Sequence, residues 1–216
     1  MKKRTLRVFT DFDGTISAKD IGASLFGYFS GKKNAETVRL WIERKIDSRE
    51  CLTMECSLIT ASREELIAAL DRIELAKGFP EFVALLKSHD VPLHVVSDGL
   101  DFYIDAFLAK AGFPYLDIHS NKAHFADGHL YPTFPYFERG CGFCGTCKGE
   151  RIRALRQNGE LTIFIGDGFS DRCAIGAADL LFARDDLARV CRDKSIDYLP
   201  FEDFFDIVKY FERNLL

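Results

Sequence analysis

The chain has 216 residues, 47% of them hydrophobic and 29% charged, with a formal net charge of −4. That length suits one compact domain or a core with a modest insertion, and that apolar content can bury a sizeable core. It excludes a disordered or fibrous chain, and mild acidity without a basic stripe argues against a nucleic-acid partner.

The start, Met1-Lys2-Lys3-Arg4, is basic like the head of a signal peptide, but Asp11 and Asp13 soon interrupt the apolar run behind it. That run is too short for a signal core, and no later stretch approaches the roughly 18 uninterrupted apolar residues of a membrane span. The sequence therefore predicts no membrane partner and a cytoplasmic protein. Seven cysteines are an odd number, so they cannot all pair, and reduced thiols are the expectation.

Leu6 to Phe12 reads as a buried strand running into the turn-forming cluster Asp11-Phe12-Asp13-Gly14-Thr15. Between residues 16 and 76 no strand is predicted. Apolar residues recur there at helical spacing, as in Ile21, Leu25, Phe26 and Phe29, or Val38, Trp41 and Ile42. Three or four helices fit, with Ser62 as an N-cap before Glu64 and Glu65. From residue 77 the pattern changes. A helix over 81–89 leads to a strand over 91–97, a helix over 102–111, a short strand over 115–119 and a hairpin around Asp127-Gly128. A loop rich in glycine and cysteine spans 140–147 and opens into a basic helix reaching about residue 157. A strand over 161–166, a helix over 171–177, a strand over 180–182, a helix over 186–192 and an amphipathic helix from Phe201 complete the chain. Strands alternating with helices predict an α/β, Rossmann-like, doubly wound parallel sheet. The expected division is a core of residues 1–15 and 77–216 with a helical cap, 16–76, inserted after the first strand.

Ligands of such sheets sit beyond the carboxyl ends of the strands. There the sequence places Asp11 and Asp13, then Ser97, Asp98 and Gly99, then Asp167 and Asp171. Carboxylates brought together repel unless a hard cation joins them, and Mg²⁺ accepts carboxylates together with phosphate oxygens. Asp11 and Asp13 at i and i+2 can flank one reacting atom, one as nucleophile and the other as acid and then base. Ser97, read as opening a helix before Gly99, offers a hydroxyl and N–H groups to an anion. Lys148, opening the basic helix, is the best-placed missing cation. Acids that merely cap helices and a solvated lysine are the bland alternatives.

These residues resemble the four motifs of the haloacid dehalogenase-like superfamily: Asp11-Phe-Asp-Gly-Thr15, Ser97, Lys148 and Gly166-Asp-Gly-Phe-Ser-Asp171. The resemblance covers the whole chain and implies an Mg²⁺-dependent phosphatase acting on a small phosphorylated metabolite. It implies Asp11 as nucleophile and Asp13 as acid–base group. Asp11, Asp13, Asp167 and Asp171 form its metal site, and Thr15, Ser97, Asp98, Gly99 and Lys148 surround its phosphate. The helical insertion looks like the cap of the phosphoserine phosphatase-like group. Cys141 to Lys148, Leu181 to Asp185 and Tyr198 to Phe205 look like the branch of that group serving methionine salvage, on 2-hydroxy-3-keto-5-methylthiopentenyl-1-phosphate. There are departures. Asp98 stands where glycine is usual, and Asp20 stands where phosphoserine phosphatases carry a glutamate that meets the substrate amine. Phosphoserine, phosphocholine and phosphoethanolamine therefore remain alternative substrates, with a phosphotransferase or a non-catalytic binding protein behind them. The expected specificity surface is Asp20, Phe26, Tyr28, Phe29 and Trp41, although helix–helix core is the plainer reading of the aromatics. A monomer or homodimer is expected.

Cys141-x-x-Cys144-x-x-Cys147 has spacing that can wrap a metal, with His119, His124 or His129 as the fourth ligand. The same spacing allows a disulfide. Reduced structural thiols are the leading reading.

Overall fold

A computed structural model describes residues 5–216. The basic stretch 1–4, weighed above as a signal head, lies outside them. A seven-stranded sheet forms the centre, in the order β4-β3-β2-β1-β5-β6-β7. Its strands are β1 (Leu6–Thr10), β2 (Leu93–Leu100), β3 (Asp117–Ala126), β4 (His129–Thr133), β5 (Leu161–Gly166), β6 (Leu180–Ala183) and β7 (Leu199–Pro200). All neighbours are parallel except β3 and β4, which form the hairpin expected at Asp127-Gly128, where both residues take positive φ. Every residue of β1 is buried, as a central parallel strand covered on both faces requires.

The helices are α1 (Ile21–Phe29), α2 (Ala35–Ile42), α3 (Ser48–Ser57), α4 (Arg63–Ala68), α5 (Phe79–Ser88), α6 (Asp101–Lys110), α7 (Lys148–Leu155), α8 (Asp185–Asp193) and α9 (Phe204–Asn214). One large cluster, built around Phe12, Phe79, Phe82, Phe204 and Phe211, packs one face of the sheet. A smaller one, with Phe9, Phe164, Ile152 and Leu187, packs the other. Helices α1 to α4 follow β1 without a strand between them, as the helical spacing predicts. Ser62 caps α4 through a reciprocal bond pair with Glu65. The insertion leaves and returns side by side, because Ser17 bridges Leu75 and the Ala76 amide donates to the Ile16 carbonyl at 2.8 Å.

Two local expectations change. β2 runs on through Leu100 with a register shift between Val96 and Leu100, so Ser97 stands on an irregular strand end and not at the start of a helix. The following helix begins at Asp101. Residues Phe169–Ala174 form a 3-10 turn in place of the helix expected over 171–177, because the Asp171 carboxylate accepts the Asp167 and Gly168 amides and winds the chain tightly.

The strand order places the first three strands outward from β1 on one side and β5 to β7 on the other. The reversal falls between β1 and β5, where crevices form beyond the strand ends. Asp11 directly follows β1 and Asp167 directly follows β5.

Candidate active site

Asp11 leaves β1 with its amide bonded to the Ile165 carbonyl at 2.9 Å. Its carboxylate meets the Lys148 Nζ at 2.8 Å, and the same ammonium contacts Asp171 and donates to the Ser170 hydroxyl at 2.7 Å. Lys148 is 1% exposed. A helix N-terminus repels a cation, and burial alone would strip its proton; Asp11 and Asp171 outweigh both and hold it charged. One buried ammonium does not balance the acids around it. Burial, followed by repulsion from Asp171, pushes the Asp11 carboxyl well above its ordinary value. Burial and Asp171 likewise raise Asp167 to about 7.

Asp13 sits two residues on, past the buried Phe12 anchor. One oxygen accepts the amides of Ile21 and Gly22 at 2.9 and 3.2 Å, at the N-terminus of α1. The other accepts the Tyr103 hydroxyl at 3.0 Å. Burial first, and the nearby Asp20 second, raise its pKa to about 7 against those hydrogen bonds. A carboxyl poised there can give a proton and take one back at neutral pH. Gly14 is required twice: its φ is +78°, and a Cβ would stand 2.5 Å from the Asp167 carboxylate. Gly99 leaves room for the close approach of Tyr103 and Asp13, since a Cβ would lie 2.9 Å from the Asp13 oxygen and run into the Tyr103 ring.

Around this floor the remaining expected residues take varied places. Ser97 is buried, and its hydroxyl accepts the Gly99 amide at 3.0 Å. The Thr15 hydroxyl is engaged by Asp167 at 2.5 Å. Asp98 lines the cavity, but its carboxylate accepts the Thr146 amide at 2.7 Å and Asn121 at 3.2 Å. It braces the loop leading to Lys148. Tyr103 and Arg184, which anchors the Gly14 carbonyl, were not singled out from sequence. An aromatic on a helix turn reads as core, and a lone arginine after a strand reads as surface.

A cavity of about 550 Å³ opens above these groups. Its roof includes Phe26, Val38, Trp41, Ile42, Leu52 and Glu55 from α1 to α3. Phe26 and Trp41 thus line the cavity. Phe29 and Tyr28 are corrected: neither lines it. Phe29 packs against the core and edge-on to Tyr28, whose ring is 75% exposed, because they fall on other faces of the short helix α1. Asp20 lines the cavity while capping α1 through the Ala23 amide at 2.7 Å. Glu55, absent from the sequence reading, is buried against Asn34 at 2.8 Å, and burial raises it to about 7. Among the described residues Arg189 is the one basic side chain in the lining, and Asp186 pairs with it at 3.0 Å.

The carboxylates of Asp11, Asp167 and Asp171 offer oxygens within 4.8 Å of one another. Crowded and buried, with Asp11 and Asp167 raised in pKa, these oxygens fit a hard divalent cation, which relieves the repulsion between them. Among the described residues no helix is long and apolar enough to cross a membrane.

The sequence profile of the haloacid dehalogenase-like hydrolases matches residues 8–175. A 2-hydroxy-3-keto-5-methylthiopentenyl-1-phosphate phosphatase from Lysinibacillus sphaericus is 32% identical, over 94% of this chain and 92% of the relative. A protein of the same name from Bacillus thuringiensis is 31% identical over 94% of both chains. Among solved structures, a phosphoserine phosphatase trapped as a phospho-aspartyl intermediate analogue superposes with a TM-score of 0.73, covering 97% of this chain and 99% of its own at 22% identity. That likeness establishes a shared fold.

Proposed function

The chain belongs to the haloacid dehalogenase-like hydrolases and is a phosphatase of that family, and from that premise we propose that it hydrolyses a small phosphomonoester through an aspartyl-phosphate on Asp11. The observation that carries the reading is the pairing on one cavity floor of Asp11 with Asp13, the latter raised to about 7 by burial. In the first step an Asp11 oxygen attacks phosphorus and the bond to the leaving alcohol breaks. Asp13 gives that alcohol its proton. In the second step Asp13 takes a proton from water, the water attacks phosphorus, and phosphate and free Asp11 result. Lys148 and the Ser97 hydroxyl face the spreading phosphoryl charge. Asp11, the Asp13 carbonyl and Asp167 would hold Mg²⁺, with Asp171 orienting Lys148 and the turn. When bound, Mg²⁺ neutralises and orients phosphoryl oxygens.

Residues 16–76 act in this reading as the cap that selects the leaving group. The relatives' names favour 2-hydroxy-3-keto-5-methylthiopentenyl-1-phosphate. Two features of the roof support that choice. Phe26, Val38, Trp41, Ile42 and Leu52 suit an apolar methylthio tail. A substrate carboxylate, as in phosphoserine, would find in the roof, among the described residues, no basic side chain but Arg189, already engaged by Asp186. A second reading rests on Asp20 and Glu55, which face the same space and suit an amino-bearing phosphate such as phosphocholine or phosphoethanolamine. A cytoplasmic monomer or homodimer completes the proposal.

Phosphate release from a panel of these compounds, with Mg²⁺ and with chelator, tests both readings. Mg²⁺-dependent preference for the methylthio compound is the expected result. Preference for an amino-bearing phosphate transfers the specificity role to Asp20 and Glu55. Equal rates in chelator would overturn the metal assignment.

A further inference from the structure

Four cysteines from two separated segments meet beside Lys148. Cys141, Cys144 and Cys147 lie on the loop entering α7, and Cys173 lies on the 3-10 turn that follows β5. The sulfurs of Cys141, Cys144 and Cys173 are within 4.8 Å of one another. Cys173 stands 3.7 Å from Cys144 and 3.6 Å from Cys141, sulfur to sulfur. The buried Cys147 thiol lies beside this trio, three residues beyond Cys144 on the same loop, though its sulfur stands outside the 4.8 Å that encloses the other three. A disulfide would bring two sulfurs to about 2.05 Å. A tetrahedral site with zinc–sulfur bonds of about 2.3 Å sets neighbouring sulfurs about 3.8 Å apart, close to the separations here.

Two independent features point to negative charge on these sulfurs. A backbone amide is aimed at them: the Cys144 amide donates to the Cys141 sulfur at 3.4 Å. Such N–H to sulfur bonds stabilise a ligating thiolate. The second feature is a pair of guanidiniums. Arg44 and Arg172 line a small hollow of about 120 Å³ together with Cys141, Cys144 and Cys173. Ring faces hold them there, Arg44 over Phe143 and Arg172 over Phe169, and among the described residues neither has a carboxylate partner. Two like charges side by side call for an anion. Four neutral thiols do not supply one, whereas four thiolates around a divalent cation carry a net charge of −2.

We propose that Cys141, Cys144, Cys147 and Cys173 bind one zinc ion as four thiolates, in a structural site distinct from the carboxylate site. The histidines expected as fourth ligand are engaged elsewhere: His119 bonds Asp117 at 3.1 Å and His124 bonds Thr133 at 3.1 Å. His129 lies on the far strand of the hairpin, edge-on to Tyr131. Each thiol that ligates releases its proton, and no electron changes hands. Four protein ligands leave no open position for a substrate. What the ion does is mechanical. It ties the loop that ends in Lys148 to the turn that carries Asp171, so the ammonium and its carboxylate partner are held in register. It also steadies the cap, because the Phe143 carbonyl accepts the Ser48 amide at 2.8 Å and the Phe143 ring stacks on Trp41. Cys141 is exposed, which gives the ion a way in.

Metal analysis of the full chain, purified under reducing conditions with zinc in the growth medium, tests the site. About one zinc per chain is expected, falling at least about fivefold in Cys173→Ser while Cys56→Ser keeps it. Should Cys173→Ser fail to fold, the wild-type chain decides alone. Cobalt exchanged for zinc should show thiolate-to-metal charge transfer and the visible bands of a tetrahedral site. Zinc below about a tenth of an equivalent, both as purified and after reduction and reconstitution, overturns the proposal. So does iron in place of zinc, a cobalt derivative without thiolate bands, or a mass loss of about two hydrogens marking a disulfide.

Discussion

The floor and the roof of the cavity are built on opposite plans. On the floor, Asp11, Lys148, Asp171, Asp167 and Thr15 each hold a named polar partner, and the pieces come from strand ends fixed by the central sheet. In the roof, three short helices offer aliphatic and aromatic side chains with two acids among them. A charge network leaves little freedom, because moving one buried group leaves another unpaired. Apolar contacts exchange partners at modest cost. On the proposed function the comparison teaches where chemistry and selectivity would reside: the floor would set the reaction, and the roof could change its substrate without disturbing the floor.

The sharpest test of the contrast falls on the floor. Asp11→Asn should lower turnover by on the order of 10⁴-fold or more while circular dichroism remains that of the folded chain. Asp13→Asn should cost about 10²- to 10⁴-fold, with the slow step visible in rapid-mixing measurements of phosphoenzyme formation and decay. Retained turnover in a clean Asp11→Asn preparation would remove the nucleophile.

A second consequence concerns pH. Asp13, Asp167 and Glu55 are each raised to about 7 in the folded chain. The folded state therefore keeps protons that the unfolded chain has already lost. Their stabilising contribution is complete below the ordinary carboxylate range and is lost as pH rises through about 7. In chelator, the melting temperature should drop by about 5 °C or more between pH 5 and pH 8. Mg²⁺ should recover much of it at pH 8, by binding the ionised Asp11 and Asp167. A melting temperature that climbs with pH in chelator would break this account of the floor.

The smallest effect belongs to the roof. Trp41 packs edge-on to Phe169 at 5.3 Å and donates to the Ser48 hydroxyl at 3.0 Å. Trp41→Leu should raise KM for the preferred phosphomonoester by about 3- to 10-fold, equivalent to roughly 1 kcal/mol, with kcat within about twofold. A loss concentrated in kcat would place Trp41 among the groups that act on the transition state and blur the division drawn here.

Much of the floor was legible because its information is local. Asp11 and Asp13 stand two residues apart, Asp167 and Asp171 four, and each set directly follows an apolar run that can only be a buried strand. Alternating elements then bring those strand ends to one edge of the sheet. The helical insertion was legible for the same reason, since apolar spacing and the Ser62 cap are properties of contiguous residues.

Other features waited on tertiary structure, because they depend on contacts between residues far apart in the chain. Tyr103 reaches Asp13 across 90 positions, and Cys173 reaches Cys141 across 32. Neither pairing leaves a trace in local periodicity. Helical spacing gives the apolar face of α1 but not which of its aromatics turns toward the cavity, so Phe26 and Phe29 looked alike until packing separated them. Strand-end chemistry is written in the order of residues, and the selection of a cavity wall is made only when whole helices settle against the sheet.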